Sequence, residues 1–105
     1  NQMTASWTSG NGQRRIVVVR QGSVTTWVPM DGVAPAGVNG FFPGALDHGD
    51  GNKICFNGTN NIFTVFGLAP NTYYSFKVFE YNGLGMAANY FTAGAPAAGT
   101  QGTGN

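Results

Sequence analysis

The segment Gly67-Leu68-Ala69-Pro70-Asn71-Thr72-Tyr73-Tyr74-Ser75-Phe76-Lys77-Val78 joins a corner to a long strand. Its Pro-Asn-Thr centre consists of residue types that favour turns. After the turn two sets of side chains alternate, Tyr74, Phe76 and Val78 on one face and Tyr73, Ser75, Lys77, Phe79 and Tyr81 on the other. This period of two over residues 73–81 predicts a β-strand that begins directly after a tight corner.

On both sides of this strand the chain has further short runs of strand character and no helical periodicity. Residues 15–20 hold an uninterrupted apolar run, a pattern typical of a central strand that is covered on both faces. Other strands are predicted at residues 2–8, 24–28, 53–56, 62–68 and 89–92. Asn-Gly pairs between them indicate hairpins, so the pattern predicts an all-β antiparallel sandwich of about six to seven strands.

The predicted sandwich domain spans residues 1–93, and a tail follows at residues 94–105. The tail consists only of Ala, Gly, Pro, Thr, Gln and Asn. This composition is typical of a linker, although residues 100–103 are also compatible with an extended conformation. The tail is therefore predicted to be either a linker or an added strand.

The composition predicts a surface with little charge. Charged residues make up 9% of the 105 residues, against about 25% in an average protein, and the net charge is +1. The few cations form no patch that would neutralise phosphates, so we expect no nucleic-acid partner. No apolar run is long enough to span a membrane. Low charge weakens repulsion between molecules, which favours a module with close neighbours.

Few residues have the chemistry of a metal or catalytic site. Asp47, Asp50 and Asn52 bring oxygen ligands and glycines together in a long excursion at residues 30–52. They are weak candidates for calcium binding, because the same residue types also favour turns. His48 has no nucleophile motif beside it. We therefore expect no catalytic residue, no cofactor and no enzymatic activity.

Two further side chains are predicted to have structural roles. Glu80 lies at the end of a strand, where a carboxylate at the rim of a core needs a cation, and Arg15 or Arg20 can supply it. Cys55 is the only cysteine and is expected to pack as a small apolar residue.

Several aromatic side chains are predicted to face outward or to lie in the excursion, and they are candidate contact residues. They are Phe66, Tyr73, Phe79 and Tyr81 on strands, and Trp27, Phe41 and Phe42 in or near the excursion. Such side chains form contacts with other proteins or stack on sugar rings. The alternative is that the excursion folds over the sheet and buries them.

The corner-and-strand segment resembles the signature of fibronectin type III domains. Leu68, Pro70 and Tyr74 match its Leu, Pro and Tyr positions, and Trp7 falls where the family keeps a buried tryptophan. The resemblance covers about residues 2–95. It implies an immunoglobulin-like sandwich in which the Tyr74 hydroxyl bonds to the backbone near Leu68. Three stretches, residues 15–20, 49–52 and 79–83, are similar to modules in secreted multidomain proteins of Bacteroidetes-type bacteria, which implies an extracellular or cell-surface location.

The chain departs from the family at its beginning. A type III domain usually opens with a strand before the tryptophan strand, but Trp7 lies only six residues from the start, so the first strand is missing. An absent edge strand leaves unpaired backbone N–H and C=O groups. A preceding module, a neighbouring subunit or the tail of the same chain can fill that position.

These observations predict a structural or adhesive module of an extracellular fibre, filament or cell-surface array. Its partners would be copies of itself or neighbouring modules of the same protein, with possible strand sharing between them. The alternative is a glycan-binding accessory module of a secreted enzyme or adhesin.

Overall fold

The computed structural model describes residues 1–8, 10, 12–92 and 97–104. Within these residues the fold is all-β, as the sequence predicts, with seven strands and no α-helix. The strands are β1 (Gln2–Ser6), β2 (Arg14–Gln21), β3 (Lys53–Gly58), β4 (Ile62–Phe66), β5 (Tyr73–Asn82), β6 (Asn89–Tyr90) and β7 (Ala98–Gly102). Two 3₁₀ turns lie at Phe42–Gly44 and Gly85–Ala87, and no helix in the described ranges is long and apolar enough to cross a membrane.

The strands form two antiparallel sheets. β1 pairs with β4 in a two-stranded sheet. The five-stranded sheet has the order β3-β2-β5-β6, and β7 also pairs with β5. β2 is central between β3 and β5, which confirms the prediction from its apolar run. The arrangement is compatible with a β-sandwich.

The main core contains buried side chains from both sheets. Its members are Met3, Val17, Val19, Ala45, Cys55, Phe63, Val65, Leu68, Tyr74 and Val78. The two-stranded sheet contributes Met3, Phe63 and Val65, and the five-stranded sheet contributes most of the others. The apolar face of each sheet is therefore buried against the other sheet, which removes its area from water.

A second cluster, the outer core, covers the opposite face of the five-stranded sheet. Its members are Ile16, Val18, Ile54, Phe79, Tyr81, Ala88 and Tyr90, with Trp27 packed against them. The prediction that Phe79 and Tyr81 are outward contact residues is wrong, because they are 2% and 1% exposed. The alternation along β5 is correct, but the excursion covers the face on which these two side chains lie.

The strand predicted at residues 24–28 is also wrong, because this segment has no regular secondary structure. The N–H groups of Thr26 and Trp27 donate to Asn52 Oδ1, at 2.9 and 3.3 Å, instead of to a neighbouring strand. A side-chain acceptor thus replaces a strand ladder. The β-prone composition of the segment does not indicate that a side chain takes the place of a neighbouring strand.

The tail contributes a strand to the larger sheet. β7 pairs with β5, with Gly102 opposite Tyr73 and Ala98 opposite Lys77. Of the two predicted alternatives for the tail, the described part therefore forms an added strand. This strand belongs to the five-stranded sheet and does not lie beside β1. The predicted boundary between residues 93 and 94 lies outside the described residues.

Residues from the two ends of the described chain meet at one pole of the fold. The side-chain amide of Asn1 donates to the carbonyl of Gly104 at 2.7 Å. The N–H of Asn71, at the corner before β5, donates to the same carbonyl at 2.9 Å. Asn1 and Leu68 also exchange two backbone hydrogen bonds, at 3.0 and 3.1 Å. The corner therefore holds residues from both ends in place.

Candidate functional site: the open edge of β1

The direction of the backbone groups in the two-stranded sheet follows from two hydrogen bonds. Trp7 N–H points towards β4 and donates to the carbonyl of Asn61 at 3.0 Å. Phe66 N–H points away from β1 and donates to the carbonyl of Gly40 at 2.9 Å. Inward and outward groups alternate along an antiparallel pair, so these two bonds fix the direction for every residue of the pair.

The outward backbone groups of β1 form an open edge. They belong to Gln2, Thr4 and Ser6. Among the described residues none of these N–H or C=O groups has a backbone partner outside the strands. The three side chains are exposed, and the Thr4 hydroxyl hydrogen bonds to the Thr64 hydroxyl at 2.8 Å across the pair. The sequence predicts a missing neighbour here but does not single out these residues; their alternation with Met3 and Ala5 is the available signal.

The core next to the open edge is incompletely covered. Trp7 and Ala5 are half-buried, and the Trp7 ring packs against Phe56 and Phe63 with centroid distances of 6.3 and 6.1 Å. Trp7 Nε1 is buried and has no hydrogen-bond partner in the part of the chain that is described. A buried donor without a partner costs free energy. The residue directly after β1 therefore carries an unsatisfied buried donor.

The Tyr74 hydroxyl bonds to the backbone near Leu68, at the corner before β5. The Tyr74 hydroxyl accepts a hydrogen bond from Ala69 N–H at 3.0 Å, one residue beyond Leu68. Leu68 and Tyr74 are both buried in the main core, whereas Pro70 is exposed at the turn. This bond fixes the start of β5 against the end of β4.

The remaining aromatic candidates differ in exposure. Phe41 and Phe66 are exposed and lie beside each other, with ring centroids 5.4 Å apart. Tyr73 is 70% exposed at the start of β5. Phe42 is half-buried against the main core, where its ring meets Tyr74 edge-on, and Trp27 is half-buried against the outer core. Phe41, Phe66 and Tyr73 are therefore the candidates that a partner can reach.

A buried ion pair fastens the loop between β1 and β2. Arg15 and Glu80 lie 3.5 Å apart, which confirms the predicted pair, and the Glu80 carboxylate also accepts from the N–H groups of Gly10 and Gly12. A Cβ at Gly12 would lie 2.5 Å from Glu80 Cβ, so the carboxylate can approach this closely only because the position is glycine. Arg20 instead pairs with the exposed Asp50 at 3.1 Å.

The calcium candidates act as turn residues. Asp47 Oδ1 accepts from the N–H groups of Gly49 and Gly51, at 2.8 and 3.1 Å. Asp50 pairs with Arg20, and Asn52 is buried with its oxygen bonded to the N–H groups of Thr26 and Trp27. No group of three His, Cys, Asp or Glu side chains that could hold a metal occurs within the described ranges. One oxygen of each candidate, Asp47 Oδ1, Asp50 Oδ2 and Asn52 Oδ1, accepts a hydrogen bond from the protein.

We expect Asn52→Ala to lower the free energy of unfolding by about 2 kcal/mol, because two backbone N–H groups lose their acceptor. Asn52 also donates to the Thr26 hydroxyl and to the carbonyl of Gly49, at 2.7 and 2.8 Å. Urea unfolding measures the change. Asn39→Ala is the control, since exposed Asn39 makes one local bond to Phe41 N–H and its loss should cost less than about 1 kcal/mol. Equal losses in the two variants would contradict the assigned role of Asn52.

Cys55 is buried in the main core, and burial raises the pKa of its thiol to about 12. At pH 8 the folded protein then holds roughly one thiolate in 10⁴ molecules, and the thiolate is the reactive form. We expect alkylation by iodoacetamide at pH 8 to be at least about 10³-fold slower than in urea, where the pKa returns to about 8.5. Similar rates in the two conditions would show that Cys55 is accessible in the folded state.

An apolar cavity of about 240 Å³ separates the excursion from the outer core. Its walls include Trp27, Pro35, His48 and Tyr90. The rings of Trp27 and His48 lie 4.7 Å apart, and His48 Nε2 and the Tyr90 hydroxyl already bond to backbone carbonyls of the excursion, at 3.0 and 2.8 Å. The cavity therefore offers mainly apolar contacts.

Comparison with known proteins gives no relative. No protein-family model, no curated protein and no solved structure matches the chain.

Proposed function

We propose that the chain is a non-catalytic structural or adhesive module of an extracellular or cell-surface fibre, filament or array. In this proposal it is a fibronectin type III-like sandwich that assembles through contacts with copies of itself or with neighbouring modules. The observation that carries the proposal is the open edge of β1, where the outward groups of Gln2, Thr4 and Ser6 have no backbone partner in the described part of the chain.

The strand order supports a type III-like fold. Immunoglobulin-type sandwiches place their second and fifth strands in one sheet and their third, sixth and seventh strands in the other. When β1 is matched to the second strand, this order corresponds to β1 beside β4 and to β2, β5 and the last strands side by side. The Tyr74 bond to Ala69 N–H agrees with the tyrosine corner of such domains.

The surface chemistry supports an assembly role. Natural proteins protect an edge strand with charged side chains, proline or a bulge. The segment 1–13 contains no charged side chain and no proline, and β1 pairs with β4 without a register shift. Together with 9% charged residues overall, this leaves little to keep molecules apart.

The proposal is tested by light scattering and negative-stain imaging of the chain purified without tag residues before Asn1, because an added segment could itself pair with β1. We expect oligomers or polymers that grow with protein concentration. A chain that remains monomeric at millimolar concentration would contradict the proposal.

The glycan-binding alternative has weaker support. It depends on Trp27, Phe41 and Phe42, of which Trp27 and Phe42 are half-buried against the two cores. Sugar recognition combines an aromatic platform with polar groups that fix orientation. The polar groups of the cavity beside Trp27 are already bonded within the chain. Unchanged retention of a Trp27→Ala variant on polysaccharide gels would remove this alternative.

A further inference from the structure

We propose that the partner at the open edge is a second copy of the same chain, and that the two β1 strands pair antiparallel about a twofold axis through Thr4. This inference depends on the proposed assembly function and names the partner and the register. It would join two two-stranded sheets into one four-stranded sheet of order β4-β1-β1-β4. Such an interface is isologous, because each copy uses the same surface.

The backbone of β1 is complementary to itself in this register. Gln2, Thr4 and Ser6 direct their N–H and C=O groups outward, with Thr4 at the centre of the strand. A twofold axis at Thr4 places Thr4 opposite Thr4 of the second copy and Gln2 opposite Ser6. Each opposed pair of outward residues can exchange two hydrogen bonds in an antiparallel ladder. All outward groups of β1 are then satisfied at once.

The side chains do not oppose this pairing. The side chains of the three outward residues are small or uncharged, so two identical strands meet without the repulsion that like charges would cause. Two identical charged edges would repel each other, but β1 has no charged side chain. An acidic or basic partner would meet no opposite charge on β1. The absence of charge therefore favours a second copy over such a partner.

The contact is small and should be weak for two isolated molecules. It involves a strand of five residues. Stable interfaces bury roughly 1,200–2,000 Å² in total, which is more than one short pair of strands supplies. Repetition in an array raises the effective concentration of each edge and strengthens weak contacts. The pairing is thus suited to modules that are held close together.

Disulfide trapping tests the register directly. Thr4→Cys would place two thiols on facing residues whose Cα atoms are about 5.5 Å apart, within the range that a disulfide spans. Thr64→Cys is the matched control, since Thr64 is exposed opposite Thr4 on β4 and would lie about 14 Å from its counterpart in the pair, three strand spacings away. Under mild oxidation we expect Thr4→Cys to form covalent dimers at least about tenfold faster than Thr64→Cys.

Two proline variants test the edge without a new thiol. Proline is tolerated in an edge strand where its missing N–H faces solvent. Thr4→Pro removes an outward N–H of β1, and Thr64→Pro removes the equivalent outward N–H of β4; both also lose the Thr4–Thr64 hydroxyl bond. Circular dichroism establishes that each variant is folded. We expect Thr4→Pro to abolish self-association and Thr64→Pro to preserve it.

The outcomes separate this inference from the proposed function. Equal trapping rates for the two cysteine variants, or assembly that Thr4→Pro leaves unchanged, would overturn the β1 pairing while the assembly function stands. A monomeric wild-type chain whose Thr4→Cys variant does not dimerise would overturn both. Preferential trapping at Thr4 supports the inference even if a proline variant fails to fold.

Discussion

Replacing Glu80 with alanine is expected to lower the free energy of unfolding by about 3–5 kcal/mol, because it leaves a buried cation without its counter-ion. Arg15 is 4% exposed and lies 3.5 Å from the Glu80 carboxylate. The same substitution removes the acceptor of Gly10 and Gly12 N–H and releases the loop between β1 and β2. Urea unfolding at pH 7 measures the loss.

Asp50→Ala is the matched control for Glu80→Ala. Its side chain is 71% exposed and pairs with Arg20 at 3.1 Å, and exposed pairs contribute less than about 1 kcal/mol. The variant Arg15→Met combined with Glu80→Ala should recover part of the stability, since no unpaired charge then remains buried. Similar effects of Glu80→Ala and Asp50→Ala would show that the buried pair has no special role.

Phe79→Ala is expected to destabilise the protein by about 3–5 kcal/mol, the usual cost of removing a fully buried phenylalanine. Phe79 is buried in the outer core, on the face that the excursion covers. Tyr73→Ala, on the same strand, should change stability by less than about 0.5 kcal/mol because Tyr73 is exposed. Thermal or urea unfolding of the two variants provides the comparison.

The pair of variants also tests the arrangement of the excursion. Phe79 and Tyr73 belong to the same alternating set in the sequence, so alternation alone predicts similar effects. A small loss for Phe79→Ala would mean that the excursion does not form a packed second core. A large loss for Tyr73→Ala would place that residue in a contact between molecules.

The sequence predicts the strands that carry a strong local pattern. The apolar run in β2 requires cover on both faces, and the alternation after Pro70 predicts β5, so the position of both strands follows from the local side-chain pattern. The Arg15–Glu80 pair is also predictable, because a carboxylate at the edge of a core requires a cation. Each of these features depends on a local pattern or on one obvious partner.

The excursion could not be predicted in the same way. The residues just before it are held by Asn52, its last residue, whose side chain binds backbone groups about 25 residues earlier in the chain. An asparagine next to glycines resembles any surface turn in sequence. Only the folded structure shows that Thr26 and Trp27 are held by a side chain and that Phe79 and Tyr81 are covered.

The candidate site was predictable as an absence and not as a set of residues. The family resemblance predicts a further neighbour for β1, and within the described residues β1 pairs only with β4. The outward direction of Thr4 depends on the register with β4, which the sequence does not specify. The register identifies the three residues of β1 whose backbone N–H and C=O groups point outward.

The contact between Asn1 and Gly104 has a mechanical consequence. A pulling force transmitted along the chain through these two residues would act at one pole and not across the 41 Å length of the fold. It would load the hydrogen bonds of Asn1 with Gly104 and Leu68 first, and would then peel β1 from β4 and β7 from β5 one bond at a time. Under tension such a module would lengthen in small steps and act as an extensible element rather than as a rigid spacer.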